Sequence, residues 1–360
     1  MENKWIPERI RRLEAYQPAE GACRVRLDAN ESPFAPTEEM RDAFAEALRD
    51  VQFQRYPDPS AAALREAFAG RYGLSSDNVV AGNGSDELIF LICTAFLLPG
   101  DRMAVTAPDF SMYAFYGSLA GAEIVTFEKN DNLCMDADRL TAFLTEEKIK
   151  LVIFSNPCNP TGQLMHREEV LSVVRRTDAL VVADEAYMEF CGEGESVLPF
   201  CGEYPNLIVL KTLSKAFGFA AARLGFAVGN TELAEAVRKV KSPYNLNAVS
   251  QKLGEIMLSF AGIAESNIQK IRQSKAALEC ALKKEECRAH YRVYPSETNF
   301  VLLRFADADG SAGAARAAAM FGALKRDGVL VRHILGDCLR ITAGTAQENE
   351  ALLCSFFAHL

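Results

Sequence analysis

The sequence predicts an α/β protein: a mainly parallel sheet with helices on both faces, joined to a smaller α+β unit. Three observations predict it. Short, partly β-branched apolar runs alternate with longer helical stretches from Asn78 to Val228, the pattern of strand–crossover–strand units in a parallel sheet. Several of these runs close on polar, turn-forming clusters, which is where open α/β sheets bind ligands. The alternation then breaks at Ser242-Pro243-Tyr244-Asn245-Leu246-Asn247, and a different order of elements follows. A chain of 360 residues has room for two domains. The break puts a large domain at 51–245 and a small one at 1–50 together with 246–360.

Composition narrows the function. Apolar residues make up 49% of the chain, enough for a sizeable core. The net charge of −9 offers no footprint for nucleic acid or an anionic membrane. Ten cysteines lie scattered without a C-x-x-C pair, and read as reduced thiols packed as small hydrophobes. The four histidines lie far apart, with no H-E-x-x-H and no zinc spacing. The opening MENKWIPERIRRLEAY mixes acids and bases and lacks an apolar signal core. The most apolar run, Leu88 to Leu98, is too short to span a bilayer. A soluble, cytoplasmic protein is expected.

The elements follow in order. Residues 1–16 suit a short amphipathic helix with Trp5, Ile6, Ile10 and Leu13 on one side, or an arm laid on a partner subunit; Tyr16-Gln17-Pro18 ends it. LDANESPFAP, Leu27 to Pro36, is a loop because of its two prolines and Asn30. A helix over 37–50 is capped by Thr37, with Glu38 and Glu39 in its first turn. Arg55-Tyr56-Pro57-Asp58-Pro59 is a rigid turn. A strand at Asn78 to Ala81 leads into AGNGSDEL and an apolar helix ending near Leu98. Glycines there permit close backbone approach, and the helix start offers free N–H groups to an anion. Ser85 reads as the cap, with Asp86 and Glu87 in the first turn. The stretch is half of a G-x-G-x-x-G, but its sixth position is Glu87, so the dinucleotide fingerprint fails.

Arg102 to Ala107 is the next strand, ending in Pro108-Asp109-Phe110, with Tyr113 one turn on. Ala122 to Phe127 and Lys150 to Ser155 follow as strands, the second running into SNPCNPTGQ. Two Asn-Pro pairs and a glycine force a turn there. Leu180 to Ala183 closes on Asp184-Glu185-Ala186-Tyr187. That resembles a Walker B element, but no Gly-Lys pair exists in the chain, so a P-loop ATPase is set aside.

The centre of the pattern is Lys211 to Gly225, KTLSKAFGFAAARLG, fed by the strand Leu207 to Leu210. Thr212, Ser214, Lys215 and Arg223 gather just past its carboxyl end. Two hydroxyls and an arginine beside one amine suit a bound phosphate. The amine can form a Schiff base once cationic or apolar surroundings lower its pKa. Arg223 to Val228 reads as a strand, for which an antiparallel sense is open. A helical stretch to about Glu285, kinked near Ala261-Gly262, precedes a strand at 299–305, a helix at 312–327, strands at 329–332 and 338–342, and a terminal helix.

S-K-A-F-G with an arginine eight positions after the lysine resembles the cofactor region of fold-type I pyridoxal-phosphate enzymes. From Leu27 nearly to its end the chain is similar to the histidinol-phosphate aminotransferase family. The resemblance implies pyridoxal 5'-phosphate held on Lys215, with Asp184 at the pyridine nitrogen and Tyr187 and Asn159, in N-P-T-G, at the 3-oxygen. It implies a phosphate grip from Gly84, Ser85, Asp86, Thr212, Ser214 and Arg223, and from Tyr56 of the neighbouring subunit in a homodimer. Phe110 stacks on the ring, with Tyr113 as the competing candidate. Tyr16 and Asn30 lie by the substrate, Arg340 takes its α-carboxylate, and Arg332 meets a distal phosphate. The chain departs from the family at Ala35 and in Ala220-Ala221, where the family usually has glycine at 35 and Ala-Gly; the extra methyl at 221 is expected to crowd the backbone slightly.

The implied reaction is transamination of L-histidinol phosphate with 2-oxoglutarate, giving imidazole acetol phosphate and L-glutamate in histidine biosynthesis. Histidinol phosphate has no carboxylate, so Arg340 serves glutamate. Decarboxylation of L-threonine O-3-phosphate and transamination of aromatic amino acids use the same apparatus and stay open. A pyridoxal-dependent regulator would need a DNA-binding domain, and the chain has no room for one and no basic patch.

Overall fold

A computed structural model describes residues 5–11, 23–284, 289–306 and 313–360. The strands are β1 Val25–Arg26, β2 Val79–Asn83, β3 Arg102–Ala107, β4 Glu123–Glu128, β5 Leu151–Ser155, β6 Leu180–Asp184, β7 Leu207–Thr212 and β8 Leu224–Val228. They continue with β9 Tyr291–Tyr294, β10 Phe300–Phe305, β11 Val329–Leu330, β12 Arg332–Ile334 and β13 Cys338–Thr342.

Seven strands form the large sheet in the order β2-β8-β7-β6-β5-β3-β4. Every pair is parallel except the two made by β8, which runs against both β2 and β7. All residues of β5, β7 and β8 are buried, as expected of strands covered on both faces. One consequence positions the site. The carboxyl ends of β2, β3, β5, β6 and β7 and the amino end of β8 lie along one edge of the sheet.

The small sheet has the order β12-β13-β10-β9, antiparallel throughout. The run expected as one strand at 329–332 is two. Val329 and Leu330 pair in parallel with Val25 and Arg26, whereas Arg332 lies opposite Arg340 in the other sheet. The two-residue β1 carries too short a pattern to be recognised in sequence, and its parallel partner is remote. The helix Ala62–Tyr72 was also not expected; its burial of Leu64 and Phe68, with Phe68 stacked on Phe226 at 3.9 Å, holds it in place.

Other helices match their signals. Thr37 caps Glu38–Arg49, accepting from the Met40 N–H at 3.3 Å. The break in the long helical stretch falls at Phe260, between Ala248–Ser259 and Ala261–Leu282. Met257, Leu258, Ile268 and Ile271 pack in the large sheet's core, while Leu278 and Leu282 join the second core with Val301, Leu303 and Ile341. The second helix, Ala261–Leu282, therefore ties the two cores together. Near the start, only Glu8–Arg11 is helical among the described residues, and Trp5, Ile6 and Ile10 are exposed; Leu13 and Tyr16 lie outside the described residues. No helix among the described residues is long and apolar enough to cross a membrane.

Candidate active site

A cavity of about 260 Å³ opens at the shared strand edge. One end is built for an anion. The helix Gly84–Phe96 starts directly after β2 with Asn83 as its cap, so Ser85 lies in the first turn rather than at the cap. Glu87 reaches back to accept the Asn83 N–H at 2.6 Å, and the carboxylates of the first turn suit the helix's positive end. Gly84 has φ +81°, a conformation glycine adopts without cost. A Cβ at Gly225 would come within 2.5 Å of Gly84 C and Ser85 N, so β8 can lie beneath this turn only with glycine there.

Arg223 completes that end. It adopts φ +55° after the short turn Ala220–Ala222, and its Nη2 lies 3.4 Å from Asp86 Oδ2. Ala221 is exposed; its methyl meets solvent, so the crowding expected from this departure does not arise. Thr212 Oγ1 donates to the Leu224 carbonyl at 3.1 Å and accepts the Ser214 N–H at 3.1 Å. Ser85, Asp86, Thr212, Ser214 and Arg223 all line the cavity. Asp86 is acidic and pairs with Arg223, so what it gives an anion is the arginine's orientation.

The middle of the cavity holds an amine and a carboxyl. Lys215 Nζ donates to the Ala29 carbonyl at 3.0 Å. Burial, helped by the Arg340 and Arg223 charges, lowers its pKa to about 8. Asp184 ends β6 and is buried. Burial raises its pKa to about 7, against the hydrogen bonds from Tyr113 and the Ala186 N–H that favour the ionised form. Asn30, in the left-handed region at φ +55°, donates through Nδ2 to Tyr187 Oη at 2.8 Å. Asn159 donates its N–H to Ser155 Oγ at 2.9 Å. Asn156, by contrast, is turned away: its side chain pairs with both main-chain groups of Met165, at 2.8 Å each, and holds the loop.

The two aromatic candidates separate. Phe110 is half-buried on the cavity wall, and fully buried Tyr113 meets it edge-on at 5.4 Å. The Tyr113 hydroxyl is committed to Asp184 Oδ2 at 2.8 Å, a role that sequence reasoning missed, since a tyrosine at a helix start carries no sign of its partner.

The far end is basic. Arg340 Nη2 donates to the Asp28 carbonyl at 2.7 Å and Nη1 to Asn159 Oδ1, with the guanidinium over the Phe300 ring. Arg332, its register partner, lines the same cavity. So do Arg26 and Asp28, which the sequence reading passed over. Their i, i+2 spacing beside the LDANESP stretch was the available signal, since alternate residues of an extended chain share a face. Tyr56 is not among the residues lining this cavity. It is 80% exposed and stacked on Tyr244 at 4.5 Å.

The profile of the aminotransferase class I and II family matches residues 24–356. A histidinol-phosphate aminotransferase of Clostridium novyi is 35% identical over 350 residues, covering 96% of this chain and 94% of the relative. One of Thermoanaerobacter pseudethanolicus is 36% identical over 353 residues, covering 97% and 96%. The chain belongs to the class I and II aminotransferases, in their histidinol-phosphate aminotransferase branch. Solved structures agree in fold. The pyridoxal-5'-phosphate complex of the Sinorhizobium meliloti histidinol-phosphate aminotransferase aligns with a TM-score of 0.88 at 24% identity, over 99% of this chain and 98% of that one. The L-threonine-O-3-phosphate decarboxylase of Porphyromonas gingivalis aligns with a TM-score of 0.78 at 22% identity, over 93% and 98%. The fold is therefore that of the fold-type I aminotransferases.

The site of this aminotransferase fits the family's cofactor on its own chemistry. A helix N-terminus with hydroxyls and an arginine suits a phosphate. A buried carboxyl held near neutrality calls for a cationic partner such as a pyridinium. An amine of lowered pKa suits capture of an aldehyde.

Proposed function

We propose that this aminotransferase moves an amino group from L-histidinol phosphate to 2-oxoglutarate, using pyridoxal phosphate held on Lys215. The observation that carries the reading is a single cavity in which Lys215 stands between an anion cradle and the paired arginines Arg332 and Arg340. The names of the relatives support the same substrate.

Pyridoxal phosphate, when bound, supplies a conjugated ring that accepts the electrons of the bond broken at the substrate carbon. The chain does the rest. Ser85, Thr212, Ser214, Arg223 and the N–H groups after Gly84 hold the phosphate. Asp184, ionised, keeps the ring nitrogen protonated, and Tyr113 and Ala186 keep the carboxylate aligned. Tyr187 and Asn159 would hold the ring oxygen, and Phe110 would cover the ring. Lys215 Nζ would take the proton from the donor's amine-bearing carbon and pass it to the carbon that carries the cofactor's aldehyde, and would move a proton the opposite way when the 2-oxo acid is aminated. Arg340 binds the α-carboxylate of glutamate in a planar, bidentate pairing. Arg332 takes the distal phosphate of histidinol phosphate, and Asn30 fixes Tyr187 beside the substrate.

We place the cofactor-binding large domain at 51–245 and the small domain at 1–50 with 246–360. Tyr56 serves the phosphate of a second copy in a two-fold dimer. A decarboxylase acting on threonine phosphate is the second reading, favoured by the arginine pair, which suits any substrate bearing a phosphate. Products from a panel of phosphorylated and aromatic amines test the choice. Glutamate formed from 2-oxoglutarate and histidinol phosphate is expected. Carbon dioxide from threonine phosphate, with no glutamate from histidinol phosphate, would replace this reading with the second.

A further inference from the structure

The basic end of the cavity holds an ion pair that the reaction just described does not use. Arg26, on β1, and Asp28 line the cavity with Arg332 and Arg340. The Asp28 carboxylate accepts from Arg26 Nε at 3.4 Å and from Nη2 at 3.3 Å. The two partners are not equally held. The Arg26 side chain is 52% exposed and that of Asp28 only 6%.

Asp28 sits on a fixed stretch of backbone. Its carbonyl takes the Arg340 Nη2 hydrogen, the next carbonyl takes Lys215 Nζ, and the Asn30 N–H is bound by Thr342 Oγ1. Apart from its bonds to Asp28, the Arg26 side chain makes no hydrogen bond among the described residues, and its backbone is held where β1 pairs with β11. The carboxylate is therefore the rigid member and the guanidinium the one that can move. Asp28 engages the Nε–Nη2 edge of a group with five N–H donors, and Nη1 makes no hydrogen bond among the described residues.

We propose that Arg26 and Asp28 form a selectivity device, in which Arg26 leaves Asp28 for the phosphate of one substrate and stays on Asp28 when the other substrate brings a carboxylate to this end of the cavity. This inference rests on the phosphorylated-amine reading above. The physical argument is an exchange. Moving Arg26 from Asp28 to a ligand carboxylate trades one singly charged partner for another and gains little. Moving it to a phosphate ester gains a partner of nearly two charges with three acceptor oxygens. Asp28 thus cancels Arg26 for glutamate and yields it to the phosphate. One end of the cavity can then serve both substrates of the reaction without binding the carboxylate one too tightly to release.

The test uses cofactor-loaded enzyme and two probes that lack an amine and cannot react: glycerol 3-phosphate and glutarate, titrated by calorimetry. Asp28→Asn frees Arg26, so glutarate should bind several-fold tighter and the preference for the phosphate should shrink. The double variant Arg26→Gln, Asp28→Asn removes the pair without leaving a bare carboxylate. It should weaken glycerol 3-phosphate by about ten-fold, the scale of one charge-assisted hydrogen-bonded contact, and leave glutarate within about two-fold. Glycerol 3-phosphate binding unchanged in the double variant, or glutarate binding unchanged in Asp28→Asn, overturns the device. Failure of wild-type enzyme to turn over any phosphorylated amine would instead sink the reading on which it rests, and the turnover panel shows that separately.

Discussion

The Tyr113 hydroxyl donates to Asp184 Oδ2 at 2.8 Å, while the Ala186 N–H binds Oδ1 at 3.1 Å. Each carboxyl oxygen of the acid that should meet the cofactor nitrogen is thus held by a fixed donor, and the acid's plane is set by the fold. Tyr113 is fully buried and its own pKa is raised well above the usual tyrosine value, chiefly by burial and then by the Asp184 charge. It therefore acts as a neutral donor at every working pH.

Tyr113→Phe keeps the ring and deletes that donor. Hydrogen bonds to charged groups contribute about 1.5–3 kcal/mol, so pyridoxal phosphate should dissociate at least several-fold more readily. Asp184 should become harder to ionise, which direct titration of cofactor affinity against pH would show as a shift to higher pH. Affinity and pH profile both matching wild type would leave Tyr113 a packing residue only.

Asp184 should cost stability until it finds its partner. Its folded pKa of about 7 lies above the ordinary carboxyl value of about 3.9. Between those values the folded state binds more protons than the unfolded one, so this acid's contribution to stability falls as pH rises from about 4 to about 7 and stays low above. Cofactor-free Asp184→Asn should therefore melt higher than wild type above about pH 7, with the gap closing towards about pH 4. The same variant should bind cofactor poorly. Parallel melting curves for the two proteins across this range would contradict the assignment of a raised pKa.

Lys215 gives a prediction of opposite sense. With its pKa lowered to about 8, the free amine is scarce below that pH and dominant above. The rate at which cofactor-free enzyme captures pyridoxal phosphate should climb about ten-fold per pH unit up to about 8, then level. Borohydride should fix the cofactor to Lys215, and Lys215→Ala should retain cofactor binding while losing transamination. Cofactor fixed to a different lysine would end the role given to this one.

Legibility followed the kind of interaction. Every strand of the large sheet could be read: the central ones are continuous apolar runs because both faces are buried, as in Leu151–Ser155 and Leu207–Thr212, and the edge strand Glu123–Glu128, buried only at Phe127, shows through its β-branched Ile124, Val125 and Thr126. The residues at the strand ends were also legible, since turn chemistry forces Asn156-Pro157 and Asn159-Pro160 out of regular structure. Contacts between distant residues were not legible. Nothing local to Tyr113 points to Asp184, 71 positions on. Nothing local to Arg26 shows that β1 will lie beside β11. The buried network of Lys211, Glu185, Glu189 and Tyr72 was likewise hidden. Its lysine reads as one more charge in sequence, yet in the fold Glu189 and its neighbours outweigh burial and keep it protonated.

Tyr56 poses the question of assembly. It is 80% exposed, with Phe53 at 76% and Tyr244 stacked beside it, and it is not among the residues lining the cavity of its own chain. Exposed aromatic clusters of this kind mark interaction surfaces. If Tyr56 reaches the phosphate end of a second copy, each site needs two chains and the protein is an obligate two-fold dimer. The hypothesis is decided by mixing chains. Tyr56→Phe supplies an intact Lys215 but a defective contact for its partner; Lys215→Ala supplies the reverse. In a mixed dimer with crossed contacts, one site carries both lesions and the other carries neither, so activity should rise above that of either parent. With Tyr56 acting in its own chain, each mixed dimer would instead hold two singly damaged sites, and mixing would restore nothing. Dilution gives an independent measure: activity should fall as dimers separate, and a monomer that keeps full activity at high dilution would rule out a shared site.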